Sequence, residues 1–536
     1  MPQPTERNQE QSAQVSRRAF VKGLGASALA GMVFVHGAWI PKAAAERMMV
    51  AHGAALRGID YPQHYGRFSR GRFGFMFPEL DPYSVPVANT DALAATMRDP
   101  SPGSTVGNNN VLPSGFTFLG QFIDHDLTMD RETLGNQQSD PDGSTNFRSP
   151  VLNLDTVYNT VQPDGVSPGA VRDPANPNKL LLEVNANGIL DLPRNEDGTA
   201  KLGDPRNEEN LVICQLHIAV IRFHNRLVEE GMNYEQARRA TMHHYQWVVM
   251  TDFLPRIVGQ DMVDAVVQLR KNGKREANTQ YFSPQNLAKV YTPLEFAVAA
   301  FRFGHSQVRN NYQINPPTRV AIQQPTPGLG NLNGFRPIPA VLRADFRNFY
   351  HFPDSPNPPV PDPFNSTRRL DAILSPNLLN LPTQSLPNAP TRTSLPARNL
   401  ERGVQVGLPS GQAVARRIGA TVFSNAQLAT AAGQPDDKVV NGVNVPGAKT
   451  VLADPSFGGE CPLWFYLLAE SQLTHNGERL GAVASTIISE TLAGLMAADH
   501  TSYFNVPGFA PMSSTFRMQE FLEFAGAVGR GAPALP

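Results

Sequence analysis

Residues 208–258 read EENLVICQLHIAVIRFHNRLVEEGMNYEQARRATMHHYQWVVMTDFLPRIV, and this stretch decides the fold. Its apolar residues recur with helical spacing, which predicts two long amphipathic helices over 208–232 and 234–258 that meet at Gly231. The second is expected to stop near Pro255-Arg256. Working outward, a short helix is expected over 118–127 and another over 91–97. A further helix is expected over 292–307, with Thr292 as its cap and Pro293 in its first turn. Two closing helices are expected over 462–472 and 481–497. Strand patterns are scarce. Residues 61–113 are rich in Gly, Pro and aromatics and read as a wrapping segment, and 315–396 as proline-dense coil with short helices. The 47 Pro and 43 Gly in 536 residues point to long ordered coil between helices rather than to a repeat protein. The expected fold is mainly α: one large helical domain over 46–536, with long Pro/Gly-rich coil segments and little β.

Lys and Arg number 46 against 47 Asp and Glu, so there is no basic excess of the kind nucleic-acid binders use, and small neutral or anionic partners are favoured. Cys214 and Cys461 allow at most one disulfide, and the fold must rest on its core. At the N-terminus, Ser16-Arg17-Arg18-Ala19-Phe20-Val21-Lys22 precedes an apolar Gly/Ala-rich run and then Ala43-Ala44-Ala45. This reads as a twin-arginine signal peptide over 1–45, removed on export to the periplasm or beyond. No permanent membrane span is expected after cleavage.

Three segments carry chemistry. In Gly120-Gln121-Phe122-Ile123-Asp124-His125-Asp126, neighbours on a helix diverge by about 100°, so Asp124, His125 and Asp126 need three separate jobs. In Asp204-Pro205-Arg206-Asn207-Glu208-Glu209-Asn210, acids suit a helix start. Arg206 opposes the helix dipole there and needs another reason to be present. Arg206 and Glu209 lie three apart and share a face. In Phe301-Arg302-Phe303-Gly304-His305-Ser306, a lone histidine follows Gly304, where a flat group could approach the backbone. His217, His224 and the pair His243-His244 read as structural, and Cys214 as a buried thiol.

Together these segments resemble the animal-type haem peroxidases of the peroxidase and cyclooxygenase superfamily, over most of 60–505 and in the right order, in what looks like a bacterial branch. The resemblance implies haem b and hydrogen peroxide. It makes His125 the distal histidine, with Gln121 in the same pocket, and Arg206 the catalytic arginine. His305 is similar to the proximal iron ligand, with Asn399 accepting from its ring N–H and Arg302 and Arg402 holding the haem propionates. Asp124 and Glu209 resemble the carboxylates that esterify haem methyl groups. A calcium site is implied at Asp126, Ser149, the Val151 carbonyl, Asn153 and Asp155, all oxygen donors. Asn153 stands where family members usually have Asp, which weakens the site's charge. Asn210 occupies the position of a methionine that some members join to the haem, so bromide, iodide, thiocyanate and phenols are expected donors rather than chloride.

The implied reaction is peroxide-dependent oxidation of small halide, pseudohalide or phenolic donors through a ferryl intermediate. Two alternatives share the fold. A haem fatty-acid dioxygenase would carry tyrosine three residues before His305, where this chain has Arg302. A haem-free secreted binding or matrix protein would have lost one of His125, Arg206, His305 and Asn399, and all four are present.

Overall fold

The computed structural model describes residues 32–35, 38–41, 63–65, 68–100, 109–129, 145–146, 148–160, 168–270, 273–284, 290–352, 366–381 and 393–528. Residues 1–57 are a unit of their own, in which the strands Met32–Val35 and Ala38–Pro41 pair antiparallel. The rest of the expected signal peptide lies outside the described residues.

From residue 58 onward a second unit forms, and helices dominate it. Helices α1 (Val87–Thr96) and α2 (Gly115–Leu127) precede the long central pair, α3 (Leu211–Glu229) and α4 (Tyr234–Val248), which pack on each other. Helix α3 starts later than the expected residue 208. Asn210 caps it, its side-chain oxygen accepting from the backbone N–H of Val212 and Ile213. Residues Pro205–Glu208 instead form a 3-10 turn capped by Asp204. Gly231, at φ +99°, lets the chain reverse, and Asn233 with Gln236 closes a capping box on α4. The helix widens into a π turn over Val249–Phe253 before continuing through Leu254–Val258, where Pro255 supplies no N–H for a regular ladder.

Helix α2 begins three residues before the expected 118 because of a close contact. A Cβ on Gly115 would sit 2.4 Å from the Tyr350 ring and 2.6 Å from the Phe349 carbonyl oxygen, so only glycine lets this helix end approach them. The Gly115 N–H donates to Phe349 O, and the Tyr350 hydroxyl donates to Gly115 O.

The helix expected over 292–307 is replaced by a composite. Thr292–Pro293 pairs parallel with Phe73–Gly74, and the chain then runs through a π segment Glu295–Ala299, a 3-10 turn Ala300–Phe303 and one α turn Gly304–Gln307. Thr292 is no cap. Its hydroxyl donates to Leu127 O and accepts from the Asn146 carboxamide, which ties it to the end of α2. The longer helices that follow are α5 (Leu395–Gln405, capped by Ser394), α6 (Gly411–Ile418), α7 (Leu463–His475) and α8 (Ala482–Ala498).

Strands are short and mostly paired in twos, and the largest sheet among the described residues has four strands built around Phe68–Gly74. Helix α3 is the one described helix long and apolar enough to cross a membrane, and most of it is buried in this unit. Cys214 and Cys461 are buried free thiols.

Candidate functional site

Helix α2 sends three consecutive side chains to three places. Asp124 Oδ1 accepts from the Thr128 hydroxyl at 3.0 Å, His125 Nδ1 meets Asn207 Oδ1 at 2.8 Å, and Asp126 Oδ2 accepts from the Leu154 N–H at 3.0 Å. One turn before Asp124, the Gln121 amide donates to Glu209 and accepts from Asn210 Nδ2 at 3.2 Å. With Nδ1 donating to Asn207, the lone pair of His125 is left on Nε2. Burial, then the charge of Arg206, pushes this imidazole down to about 3, so it is neutral at neutral pH.

Arg206 is cross-tied. Its Nε and Nη2 engage the Asp204 carboxylate, and Nη2 also donates to the carbonyls of His125 at 3.0 Å and Thr128 at 2.7 Å. Asp204 is shared with the wholly buried Arg148. Burial alone would raise the Asp204 carboxyl, but Arg148 and Arg206 outweigh it and hold it far below the usual range. This answers why a cation stands before α3: it is locked against the end of α2 by a buried acid. Glu209 follows Arg206 by three residues, one 3-10 turn, and so stays on its side.

On the composite segment, Nδ2 of Asn399 from α5 lies 2.8 Å from Nδ1 of His305. As placed, Nδ2–H donates to Nδ1 and the ring proton of His305 falls on Nε2; the expected acceptance from Nδ1–H requires the carboxamide turned over, which frees the Nε2 lone pair for a metal. Burial, then Arg302 and Arg398, pushes this ring down to about 3 as well. Trp464 of α7 sets an edge against it at 6.4 Å between centroids and donates to the Arg302 carbonyl. The segment Gly304–Gln307 packs on α2, which puts the two histidine-bearing elements side by side.

Arg302 donates through Nε to Ala297 O, and burial together with the charge of Arg402 lowers it to about 10. Arg398 feels Arg402 in the same way. Three guanidiniums gathered in a protected place suit the carboxylates of a bound anionic group. Burial raises Asp124 against the pull of Arg302 and Arg206, and raises Glu209 to about 7.

Glu209 is exposed and Gln121, Asp124, Arg206, Arg302 and His305 are half-buried, although the surrounding protein is dense enough to desolvate the ionisable groups among them. A Cβ placed on Gly304 would meet nothing within 4 Å. Two neutral imidazoles, a guanidinium cluster and two acids form a donor set whose chemistry fits a haem and its propionates.

The implied calcium residues also come together. Ser149 Oγ donates to Asp155 Oδ2 and accepts from Asn153 Nδ2, both at 2.8 Å, and Asn153 Oδ1 accepts from the Asp155 N–H. The Val151 carbonyl accepts from the Asn153 N–H. Asp126 Oδ1 is buried without a hydrogen-bond partner, and burial followed by repulsion from Asp155 pushes Asp126 up to about 8. Two facing carboxylates with hydroxyl, carboxamide and carbonyl oxygens make an oxygen set of low charge. Among the described residues, no group of three His, Cys, Asp or Glu gathers as a metal site.

Residues 169–329 match the sequence profile of the animal haem peroxidase family, a span that contains Arg206, Glu209, Arg302 and His305. The matched segment is animal haem peroxidase sequence. The chain is 31% identical over 166 residues to a chorion peroxidase of Aedes aegypti, covering 27% of this chain and 20% of that one. It is 23% identical over 350 residues to heme peroxidase 2 of Caenorhabditis elegans, covering 60% and 42%. The chain thus spans less than half the length of these curated relatives. Peroxidase A from Dictyostelium discoideum shares the fold at TM-score 0.56 and 16% identity, over 89% of this chain and 99% of that one. The fatty acid alpha-dioxygenase of Arabidopsis thaliana shares it at TM-score 0.52 and 14% identity, over 87% and 76%. A bacterial branch is not borne out by these relatives.

Sequence reasoning passed over four residues that build this site. Arg148 and Asp204 anchor Arg206, and Asn207 and His217 stand behind His125. A buried arginine needs a carboxylate, but its partner 56 positions away leaves no local pattern.

Proposed function

We propose that this chain is a haem peroxidase that takes hydrogen peroxide as its acceptor and oxidises small halide or pseudohalide anions or phenols. The observation that carries the reading is the pairing of a neutral His125, its Nε2 lone pair open beside Arg206, with a second imidazole, His305, held by Asn399. His305 would ligate the iron and Arg302 and Arg402 would hold the propionates, with Asp124 and Glu209 available to esterify haem methyl groups. Bound there, haem b supplies the two-electron reduction of peroxide and the oxidation of the donor.

The rest of the work falls to side chains. His125 Nε2 takes the proton from the inner peroxide oxygen and returns it to the outer one, which leaves as water. Arg206, fixed by Asp204 and two carbonyls, offsets the negative charge growing on the departing oxygen. Gln121 is held by Glu209 and Asn210 and orients what binds. Asn210 spends its carboxamide on the α3 cap and on Gln121, and with no methionine at this place bromide, iodide, thiocyanate and phenols are the proposed donors rather than chloride. Calcium held by Asp126, Ser149, the Val151 carbonyl, Asn153 and Asp155 would relieve the repulsion between the two acids and steady the end of α2. Residues 1–45 are proposed as an export signal that delivers the folded chain to the periplasm or the medium.

The fold shared with fatty acid alpha-dioxygenases supports one alternative, oxygenation of a fatty acid; Arg302 in place of a tyrosine speaks against it. The test is a panel: peroxide-dependent oxidation of bromide, iodide, thiocyanate and a phenol, beside oxygen uptake with linoleate. Turnover of an anion or phenol without oxygen uptake supports the proposal, and peroxide-independent oxygen uptake with linoleate overturns it. A folded chain that takes up no haem returns the haem-free binding protein.

A further inference from the structure

We infer that Asn207 and His217 form a positioning chain that fixes which nitrogen of His125 carries the proton, an inference that rests on the peroxidase reading. Asn207 follows Arg206 in the 3-10 turn and is wholly buried, as is His217 of α3. The Asn207 carboxamide bridges two imidazoles: Oδ1 stands 2.8 Å from Nδ1 of His125, and Nδ2 stands 3.1 Å from Nδ1 of His217.

A carboxamide is one-sided, since its oxygen only accepts and its nitrogen only donates. With the oxygen towards His125, Nδ1 of that ring must carry the hydrogen, and Nε2 keeps the lone pair a peroxide proton needs. The other end of Asn207 then needs an acceptor, and His217 Nδ1 supplies it, which places the His217 proton on Nε2. Turned over, the carboxamide would reverse both rings, and His125 would present an N–H to the peroxide. The guanidinium of Arg206 beside His125 disfavours that state, because an N–H dipole there meets a positive charge.

His217 gives the second observation. Its Nε2 is buried without a hydrogen-bond partner, and its ring packs against Phe122 at 6.1 Å between centroids. An unpaired buried N–H is costly, and an apolar ring of similar size would fill this place without that cost. The histidine is explained by the one bond it makes: it is the acceptor that keeps the Asn207 oxygen pointed at His125.

The test uses the full haem-loaded chain and three variants, His217→Phe, His217→Gln and Asn207→Ala. Two quantities are read: the second-order rate with hydrogen peroxide, and the affinity of the ferric form for cyanide, which hands its proton to a base as it binds. His217→Phe is expected to lower both roughly tenfold, with the Soret absorbance per chain and the KM for the donor unchanged. His217→Gln keeps an acceptor for Asn207 Nδ2 and is expected to restore most of the loss. If the two residues act as one chain, adding His217→Phe to Asn207→Ala costs nothing further. A His217→Phe chain with unaltered rate and cyanide affinity overturns the inference, as do equal losses in Phe and Gln variants or additive losses in the double variant. A wild-type chain that binds no haem or ignores peroxide overturns the peroxidase reading instead.

Discussion

Replacing Arg206 with glutamine separates a structural role from a chemical one. The guanidinium ties α2 to the turn before α3 through Asp204 and through the carbonyls of His125 and Thr128. Its loss removes these bonds, but Asp204 keeps Arg148, so no buried carboxylate is left alone. The expected destabilisation is therefore about 1–3 kcal/mol, the range of charge-assisted hydrogen bonds, rather than the ~3–5 kcal/mol of a broken buried pair. The chemical cost should be larger, about 2.7–4 kcal/mol, or roughly 100- to 1,000-fold in the reaction with peroxide. Stopped-flow absorbance with hydrogen peroxide, normalised to haem content, reads the second quantity, and urea unfolding reads the first. A normalised rate equal to wild type would refute the role given to Arg206, and so would a loss that merely tracks missing haem.

Three further outcomes follow from the same geometry. His125→Ala should retain haem and lose peroxide-dependent oxidation, whereas His305→Ala should lose or displace haem; a Soret spectrum and a peroxide assay of each variant separate the two. Asn153→Asp adds a charge to the oxygen set around Asp126 and should raise the melting temperature in calcium, while a chelator should lower that of the wild type; scanning calorimetry with no shift in either case argues against calcium there. Burial lowers both His217 and His224 to about 4, below the unfolded value near 6.5, so the unfolded chain gains these protons first. Their contribution to stability is fully present above the unfolded value and is lost as pH falls towards 4, steepening acid unfolding by up to ~2.7 kcal/mol per pH unit. Urea midpoints across that window should flatten in a His217→Gln, His224→Gln double variant.

What was legible in the sequence is what short-range periodicity carries. The spacing in 208–258 gave α3 and α4, and the 100° step between helix neighbours anticipated three directions for Asp124, His125 and Asp126. The segment over 292–307 misled because Thr292-Pro293 has the chemistry of a helix start, while Asn146 and Leu127, distant in sequence, claim the Thr292 hydroxyl. The early start of α2 depends on Tyr350 and Phe349 closing on Gly115, a contact with no local sign. The same holds within the site. Asn207 and His217 are ten residues apart and lie on different elements, so their bond exists only once the turn folds back on α3. His217 consequently read as one more buried histidine.

The central proposal is that His305 would hold a haem and His125 would serve the peroxide that comes to it, with Asn399 behind one ring and Asn207 behind the other. The most direct measurement is haem titration of the purified full-length chain, following the Soret band and iron content in wild type and in His305→Ala. One haem per chain in the wild type, absent or spectrally displaced in the variant, is the predicted result. A folded wild-type chain that takes up no haem, or a His305→Ala chain with an unchanged spectrum, would contradict it.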